Sequence, residues 1–171
     1  RGGDHLRSEP FIELSDDPSI GEKMFGEPGA TLRRSDKGKG KLINYFEDWC
    51  AVIDALEVCK NIMQNMMLLP FDRVSEVMEV TTGLKLSPED VRKAGSRIIT
   101  IERLFGVREG INRVDDDLPK RFKEQVLDNP SSGGVVVNLD LMLDEYFSER
   151  GWDIETGVPN KESLRKLGII L

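Results

Sequence analysis

The sequence predicts an all-α fold, a multihelical domain preceded by a long irregular N-terminal arm. Apolar residues recur at helical spacing from residue 41 onward, and helix start and stop signals bracket several of these stretches. Aromatic residues are scarce at 6%, whereas charged residues reach 32%. A chain of 171 residues with 39% hydrophobic residues is long enough to form one domain with its own core.

The arm comprises residues 1–40, where Gly, Pro and charged residues cluster, as in Gly26-Glu27-Pro28-Gly29. No helical period extends through this segment, so it is interpreted as a surface loop or linker. A stretch of this length without regular structure is usually functional or disordered. The helical domain is therefore placed at residues 41–171.

The first predicted helix begins near Lys41 and ends before Pro70, because the residue before a proline disfavours helix. Its apolar stripe follows three-, four- or seven-residue spacing. The stripe consists of Leu42, Phe46, Trp49, Ile53, Leu56, Met63 and Met66.

Shorter helices follow, and each is delimited by cap residues. Gly83 ends the second, and Ser87 with Pro88 begins a third, because serine caps a helix N-terminus and proline suits the first turn. Asn138 to Gly151 brackets another helix, and the last runs from about residue 161 to 167. The predicted buried side of the third helix is Val91, Ala94, Ile98, Ile101 and Phe105.

Charge and composition exclude several partners. The net charge of -7 argues against binding to nucleic acid or to an anionic membrane surface. No apolar run approaches the roughly 20 residues that span a bilayer. The two cysteines, Cys50 and Cys59, are predicted on opposite faces of one helix, roughly 13 Å apart along its axis, too far for a disulfide. These features favour a cytoplasmic protein.

Three residues are candidates for chemistry, each with a plainer alternative. A single cysteine such as Cys59 is usually a small core residue. A carboxylate such as Asp54 beside a buried face needs donors, and an ion pair is the commoner source. His5, the only histidine, is either an acid–base group or an ordinary loop residue. The run Asp115-Asp116-Asp117 is interpreted as a solvated turn, since it lacks calcium-loop spacing.

Several stretches together resemble the aldehyde:ferredoxin oxidoreductase family, in the family's order and over most of the chain. They are RGGDHLR at 1–7, DWCAVID at 48–54, VCK at 58–60, IERLFGVREG at 101–110, DDDLPKRF at 115–122, LDEYF at 143–147, RGWD at 150–153 and GVP at 157–159. The chain begins at Arg1, which we interpret as a start inside a longer polypeptide, with a processed terminus as the alternative. The resemblance covers the C-terminal helical portion of the family.

The resemblance implies a cofactor set in the full-length parent. Family members hold tungsten, or occasionally molybdenum, through two pterins, next to a four-iron four-sulfur cluster that passes electrons to ferredoxin. Small aldehydes are oxidised to carboxylic acids. Three cluster cysteines lie upstream in a Cys-x-x-Cys-x-x-x-Cys stretch that this chain lacks. The N-terminal part of the same polypeptide is thus a partner, and the isolated chain should be inactive.

The resemblance also assigns site residues. Cys59 matches the fourth cluster ligand, the cysteine of an Asp-x-x-Gly-Leu-Cys motif. Asp54 matches the first motif position, whose carboxylate accepts hydrogen bonds from a pterin, and Val58 occupies the leucine position beside it. His5 matches a pocket histidine near the metal and substrate, so the arm would contribute to the substrate and cofactor pocket.

One residue departs from the motif, and this leaves alternatives. Glu57 stands where the motif has Gly, and the local sequence therefore predicts a continuous helix rather than a break. The alternatives are a divergent family member that acts on another substrate, such as an aromatic acyl thioester, and a non-catalytic helical interaction domain.

Overall fold

The computed structural model describes residue 4 and residues 6–60, 69–126 and 133–170. These residues form seven α-helices and three short 3-10 segments, and no strand occurs among them, which confirms the all-α prediction. The helices are α1 (Pro18–Phe25), α2 (Lys39–Ala55), α3 (Phe71–Thr82), α4 (Pro88–Arg108), α5 (Lys120–Glu124), α6 (Leu139–Arg150) and α7 (Lys161–Leu167).

Helix α2 is the central element, because α4 and α6 pack against its two sides. The predicted apolar stripe is confirmed over the first part of this helix, where Leu42, Phe46, Trp49 and Ile53 are buried. Burial of such side chains contributes roughly 1.5–3 kcal/mol each. This anchoring fixes the position of the last turn of α2.

The prediction of one long helix that reaches Pro70 is wrong, because α2 ends at Ala55. Glu57 adopts a left-handed conformation with φ of 57°. Its N–H donates to the Asp54 carbonyl at 3.0 Å, and the Val58 N–H donates to the Ile53 carbonyl at 3.4 Å. These two bonds form a Schellman motif, in which a left-handed residue closes the helix.

The physical reason for this ending lies in the core. Val58 is partly buried against a cluster that includes Trp49, Ile53 and Val74. A hydrophobic contact of the second residue after the cap with the last turn often accompanies a Schellman motif. We conclude that this packing outweighs the helix preference of the local sequence. The predicted stripe residues Met63 and Met66 lie outside the described residues.

The other predicted helix ends are confirmed. Gly83, Gly151 and Gly168 each follow a helix in the left-handed conformation. Ser87 caps α4 through a capping box with Asp90. Capping depends on residues within a few positions of the helix end, so these ends could be predicted from the sequence.

The prediction that one side of α4 is buried is wrong for the second half of the helix. Ile101 is 50% exposed and Phe105 is 59% exposed, although Val91 is buried. Both exposed side chains line a broad groove between α2, α4 and α6, with a volume of about 1350 Å³. The apolar period of a helix identifies one face but not whether another element covers it.

The arm packs against the helical domain. It contains α1 and the 3-10 segments Phe11–Ser15 and Pro28–Thr31, joined by irregular chain. Ala30 is fully buried against Leu42 and Phe46 of α2. The buried Lys39 ammonium donates to the carbonyl of Leu32 at 2.7 Å. None of the helices in the described ranges has the length and apolar character that crossing a membrane requires.

A candidate cofactor-binding face at the end of the central helix

The end of α2 presents two of the predicted site residues to solvent. The Asp54 side chain, in the last turn, is 48% exposed. Cys59, just beyond the Schellman turn, is an exposed free thiol. Val58 lies between them and packs inward. The structure therefore brings Asp54, Val58 and Cys59 together at one helix end.

The second cysteine has a different environment. Cys50 is 1% exposed within the core cluster of α2. Burial raises the pKa of its thiol to about 12, so the thiol is protonated near neutral pH. Because the thiolate is the form that binds metal, Cys50 is unsuited to ligation. Its interpretation as a core residue is confirmed, and Cys59 is the accessible thiol of the pair.

Lys60 ties this helix end to the arm, a connection that sequence reasoning missed. Its Nζ lies 2.8 Å from Asp54 Oδ2 and donates to the carbonyl of Leu6 at 2.7 Å. Its side chain is only 10% exposed. The ion pair of Asp54, favoured from sequence alone, is thus present. Its partner follows Cys59 in the sequence, but no spacing rule indicated the contact with Leu6, 54 positions away.

The arm also contacts α4 and the middle of α2. The Arg7 guanidinium forms an ion pair with Glu102 of α4 and lies 3.8 Å from Glu47 of α2. The Leu6 N–H donates to Asp4 Oδ1 at 2.9 Å. His5 itself lies outside the described residues, so its catalytic role stays a prediction.

Glu9 is a second residue that the sequence did not indicate. It is 9% exposed and has a φ of 37°. Its Oε2 is buried without a hydrogen-bond partner in the part of the chain that the structure describes. A buried carboxylate oxygen without a donor is unfavourable. A cofactor, a water molecule or the remaining polypeptide would have to supply this donor.

A buried charge network lies farther back along α2, toward its middle. Asp48 is fully buried, forms an ion pair with Arg150 and accepts a hydrogen bond from Ser96 Oγ at 2.6 Å. Arg150 Nη2 also lies 2.9 Å from Glu47 Oε2. Burial raises the pKa of Tyr146, whose hydroxyl donates to Glu47. Because its members satisfy one another, this network is structural rather than a binding site.

The acidic run at 115–117 is also paired. Arg103 holds Asp116 through two hydrogen bonds of 3.0 and 2.7 Å, and Lys123 lies 2.5 Å from Asp117. No group of three or more His, Cys, Asp or Glu side chains suited to a metal ion occurs in the described ranges. The ion pairs of Asp116 and Asp117 agree with the interpretation of this run as a turn.

Comparison with known proteins identifies the family. A family model described as aldehyde ferredoxin oxidoreductase, domains 2 and 3, matches residues 1–169. The chain belongs to the aldehyde ferredoxin oxidoreductase family. Tungsten-containing aldehyde ferredoxin oxidoreductases of Pyrococcus horikoshii, Pyrococcus furiosus and Thermococcus kodakarensis are each 35% identical over 132 residues. These alignments cover 77% of this chain and 21% of each relative, so the chain spans about a fifth of their length.

A solved structure shows the same fold. It is the active-site complex BamBC of benzoyl coenzyme A reductase in complex with 1,5-dienoyl-CoA. The TM-score is 0.63 at 23% sequence identity, over 80% of this chain and 20% of that chain. At this identity the likeness extends to the fold alone.

The chemistry of the helix end fits the cofactors expected for the family. Among the described residues, Cys59 offers an exposed thiol, the ligand type that holds iron–sulfur clusters. Oδ1 of Asp54 has no hydrogen bond in the described ranges, and the side chain is half exposed. The buried, unpartnered oxygen of Glu9 likewise needs a donor. Asp54 and Cys59 are thus accessible to a cofactor, and Glu9 needs a donor that a cofactor or the remaining polypeptide would supply.

Proposed function

We propose that the chain is the C-terminal helical part of a tungsten-dependent oxidoreductase that converts small aldehydes to carboxylic acids and passes the electrons to ferredoxin. The observation that carries the proposal is the end of α2, where Asp54 and Cys59 face outward at a closed Schellman turn. The N-terminal part of the same polypeptide is the partner that completes the site. The 171 residues alone should have no activity.

Cys59 is proposed as one thiolate ligand of a four-iron four-sulfur cluster. Such clusters are held by four cysteine thiolates, and the chain has only two cysteines. Cys50 is buried and its pKa is raised, so this chain supplies one ligand. The other three would come from the remaining polypeptide. Exposure of Cys59 supports this division, because a ligand shared between two parts of a protein must lie at their boundary.

Asp54 is proposed as the contact for a pterin that holds tungsten or molybdenum. An ionised carboxylate has about four acceptor sites, so Asp54 can bind Lys60 and still accept hydrogen bonds from ligand N–H groups. Such charge-assisted bonds are among the stronger hydrogen bonds in proteins. Val58 would provide the apolar backing for this contact.

Glu57, at the glycine position of the motif, takes a left-handed conformation that glycine adopts more readily than other residues. With φ of 57° it closes the helix where a continuous helix was predicted. The helix break beside the proposed pterin contact is therefore kept despite the substitution. This removes the main support for a non-catalytic interaction domain, which rested on an uninterrupted helix at Glu57.

His5 is proposed as the acid–base group of the reaction. When bound, the metal–pterin group supplies the two-electron oxidation. An imidazole can move a proton near neutral pH, and its target would be the carbonyl oxygen of the aldehyde. The ion pairs of Arg7 and the bond from Lys60 to Leu6 support this role, because they fix the backbone on the C-terminal side of His5.

The test is the metal content and activity of the full-length parent, purified without oxygen. We expect tungsten and about four irons per chain, the content of one such cluster. The enzyme should oxidise a short aldehyde with ferredoxin as acceptor. His5→Ala should lower turnover without lowering tungsten content. A parent free of both metals, or one without aldehyde oxidation, would contradict the proposal.

A further inference from the structure

We propose that Lys60 is a positioning residue. It holds the arm at Leu6 next to the Asp54 carboxylate and so fixes the arm relative to the end of α2 that forms the cofactor-binding face. The inference rests on the proposed function, since it assigns Lys60 a part in the same site. Its structural basis is the pair of short contacts made by one ammonium group to two segments 48 positions apart, at Leu6 and Asp54.

The geometry makes the contact specific. Lys60 Nζ donates to the Leu6 carbonyl at 2.7 Å and lies 2.8 Å from Asp54 Oδ2. A lysine ammonium has three donors, so the hydrogen bond to Leu6 and the ion pair with Asp54 are compatible with each other. The contact with Oδ2 orients the Asp54 carboxylate and leaves Oδ1 available to a ligand donor.

Burial strengthens the contact. The Lys60 side chain is 10% exposed, so its charge has lost most of its hydration. A buried charge is tolerated when it is paired and hydrogen-bonded, and both partners here satisfy it. An exposed lysine pair contributes little because water screens it. Lys60 therefore holds its two partners more firmly than a surface lysine would.

The arm has a second anchor that works with Lys60. Arg7 binds Glu102 of α4 and lies near Glu47 of α2. Leu6 and Arg7, the two anchored residues, belong to one turn. The Leu6 N–H donates to Asp4 Oδ1, and the Arg7 N–H donates to the Asp4 carbonyl. Arg7 ties this turn to α4 and the middle of α2, whereas Lys60 connects it to the helix end that bears Asp54. Loss of Lys60 alone should break that connection and leave the arm attached elsewhere.

The experiment compares Lys60→Met, Lys60→Arg and Lys41→Met in the full-length holoenzyme. Lys41 is the matched control, because its Nζ also joins α2 to the arm, through the Phe25 carbonyl at 3.3 Å, but far along the chain from Asp54. Hydrogen exchange of the peptide over residues 4–9 measures how firmly the arm is held. Metal content and steady-state kinetics measure the site.

We expect Lys60→Met to speed exchange at residues 4–9 and to lower kcat by about 10- to 100-fold, the range seen when groups that orient direct ligands are removed. Tungsten and iron contents should be kept. Lys60→Arg should recover part of the kcat, because it restores a charged donor, whereas Lys41→Met should change kcat by less than about twofold. A purely structural residue would not show this rescue with metal content unchanged.

Every other result overturns the inference. Unchanged exchange at residues 4–9 would mean that the bridge does not hold the arm. Faster exchange with normal kcat would mean that the bridge does not position the site. Loss of iron or tungsten in Lys60→Met would make Lys60 a retention residue instead. If Lys60→Met does not fold, Lys60→Gln replaces it. Failure of the proposed function is recognised separately, because the unsubstituted parent would then lack metals while the exchange experiment still reports on the bridge.

Discussion

The polar side chains in the middle of α2 are buried and paired, whereas those at its end are exposed. In the middle, Asp48 is fully buried and bound by Arg150 and Ser96. At the end, Asp54 is half exposed with one oxygen held by Lys60, and Cys59 is exposed. The same helix thus carries polar groups that are all paired within the protein and, about two turns away, polar groups that are open to solvent.

The difference separates structural from functional polarity. A buried network whose members satisfy one another stabilises or specifies a fold, and nothing remains to bind a ligand. At a surface, polar groups that lack a protein partner can bind a ligand. The left-handed backbone beside them is a feature often found at functional sites. The comparison predicts that substitutions in the middle of α2 affect stability, whereas those at its end affect cofactor binding.

The largest expected effect is at the buried network. Arg150→Met removes the buried cation of Asp48 and leaves it with the partly exposed Arg92, whose Nε lies 3.5 Å from Oδ2, so we expect a cost of about 3 kcal/mol, the lower end of the range for a broken buried pair. We expect a drop in melting temperature of roughly 10 °C for a chain of this size. The control Arg108→Met removes a cation exposed at 70% of its side chain, beside Glu109, and should cost under about 1 kcal/mol. Equal effects would contradict the distinction between buried and exposed pairs.

A smaller loss is expected where α4 crosses α2. A Cβ at Gly95 would lie 2.2 Å from the Asp48 carbonyl oxygen, so Gly95→Ala must push the helices apart. Overpacking of this kind costs about 1–3 kcal/mol. In the same helix, a Cβ at Gly106 would meet nothing closer than 3.7 Å, and Gly106→Ala should be neutral or stabilise by about 0.5–1 kcal/mol. Denaturant unfolding of both variants checks the sign of each change.

The smallest effect concerns Glu57. Its left-handed backbone carries a cost of about 1–2 kcal/mol for a residue other than glycine, so Glu57→Gly should raise the free energy of unfolding by about 1 kcal/mol. Gly83, with φ of 77° and open space around it, provides the reverse control. Gly83→Ala should lower stability by a similar amount. A destabilised Glu57→Gly would contradict the helix ending described for α2.

Local chemistry could be predicted from the sequence, and tertiary effects could not. The caps at Ser87, Gly151 and Gly168 were found because their signals lie within a few residues. Helix α1 was missed, although Asp17 caps it and Pro18 begins it, because its apolar pattern is too short to show a period. The all-α class depended only on the longer periods.

The candidate site divides in the same way. Cys59 and Asp54 were selected by motif resemblance, which does not depend on the local conformation. The helix break between them depends on Val58 packing into the core, and Glu57 gives no local signal for it. The bridge from Lys60 to Leu6 joins residues 54 positions apart, which no periodicity reveals.

The most direct test of the distinction between the two parts of α2 is the iron content and cluster spectrum of Cys59→Ser and Cys50→Ser in the full-length parent. Both substitutions replace one sulfur by oxygen in the same region of the chain. We expect Cys59→Ser to lose or alter the cluster at nearly unchanged melting temperature, and Cys50→Ser to lower the melting temperature while iron is kept. Normal iron and an unaltered spectrum in Cys59→Ser would contradict the assignment of the end of α2 as the cofactor-binding face.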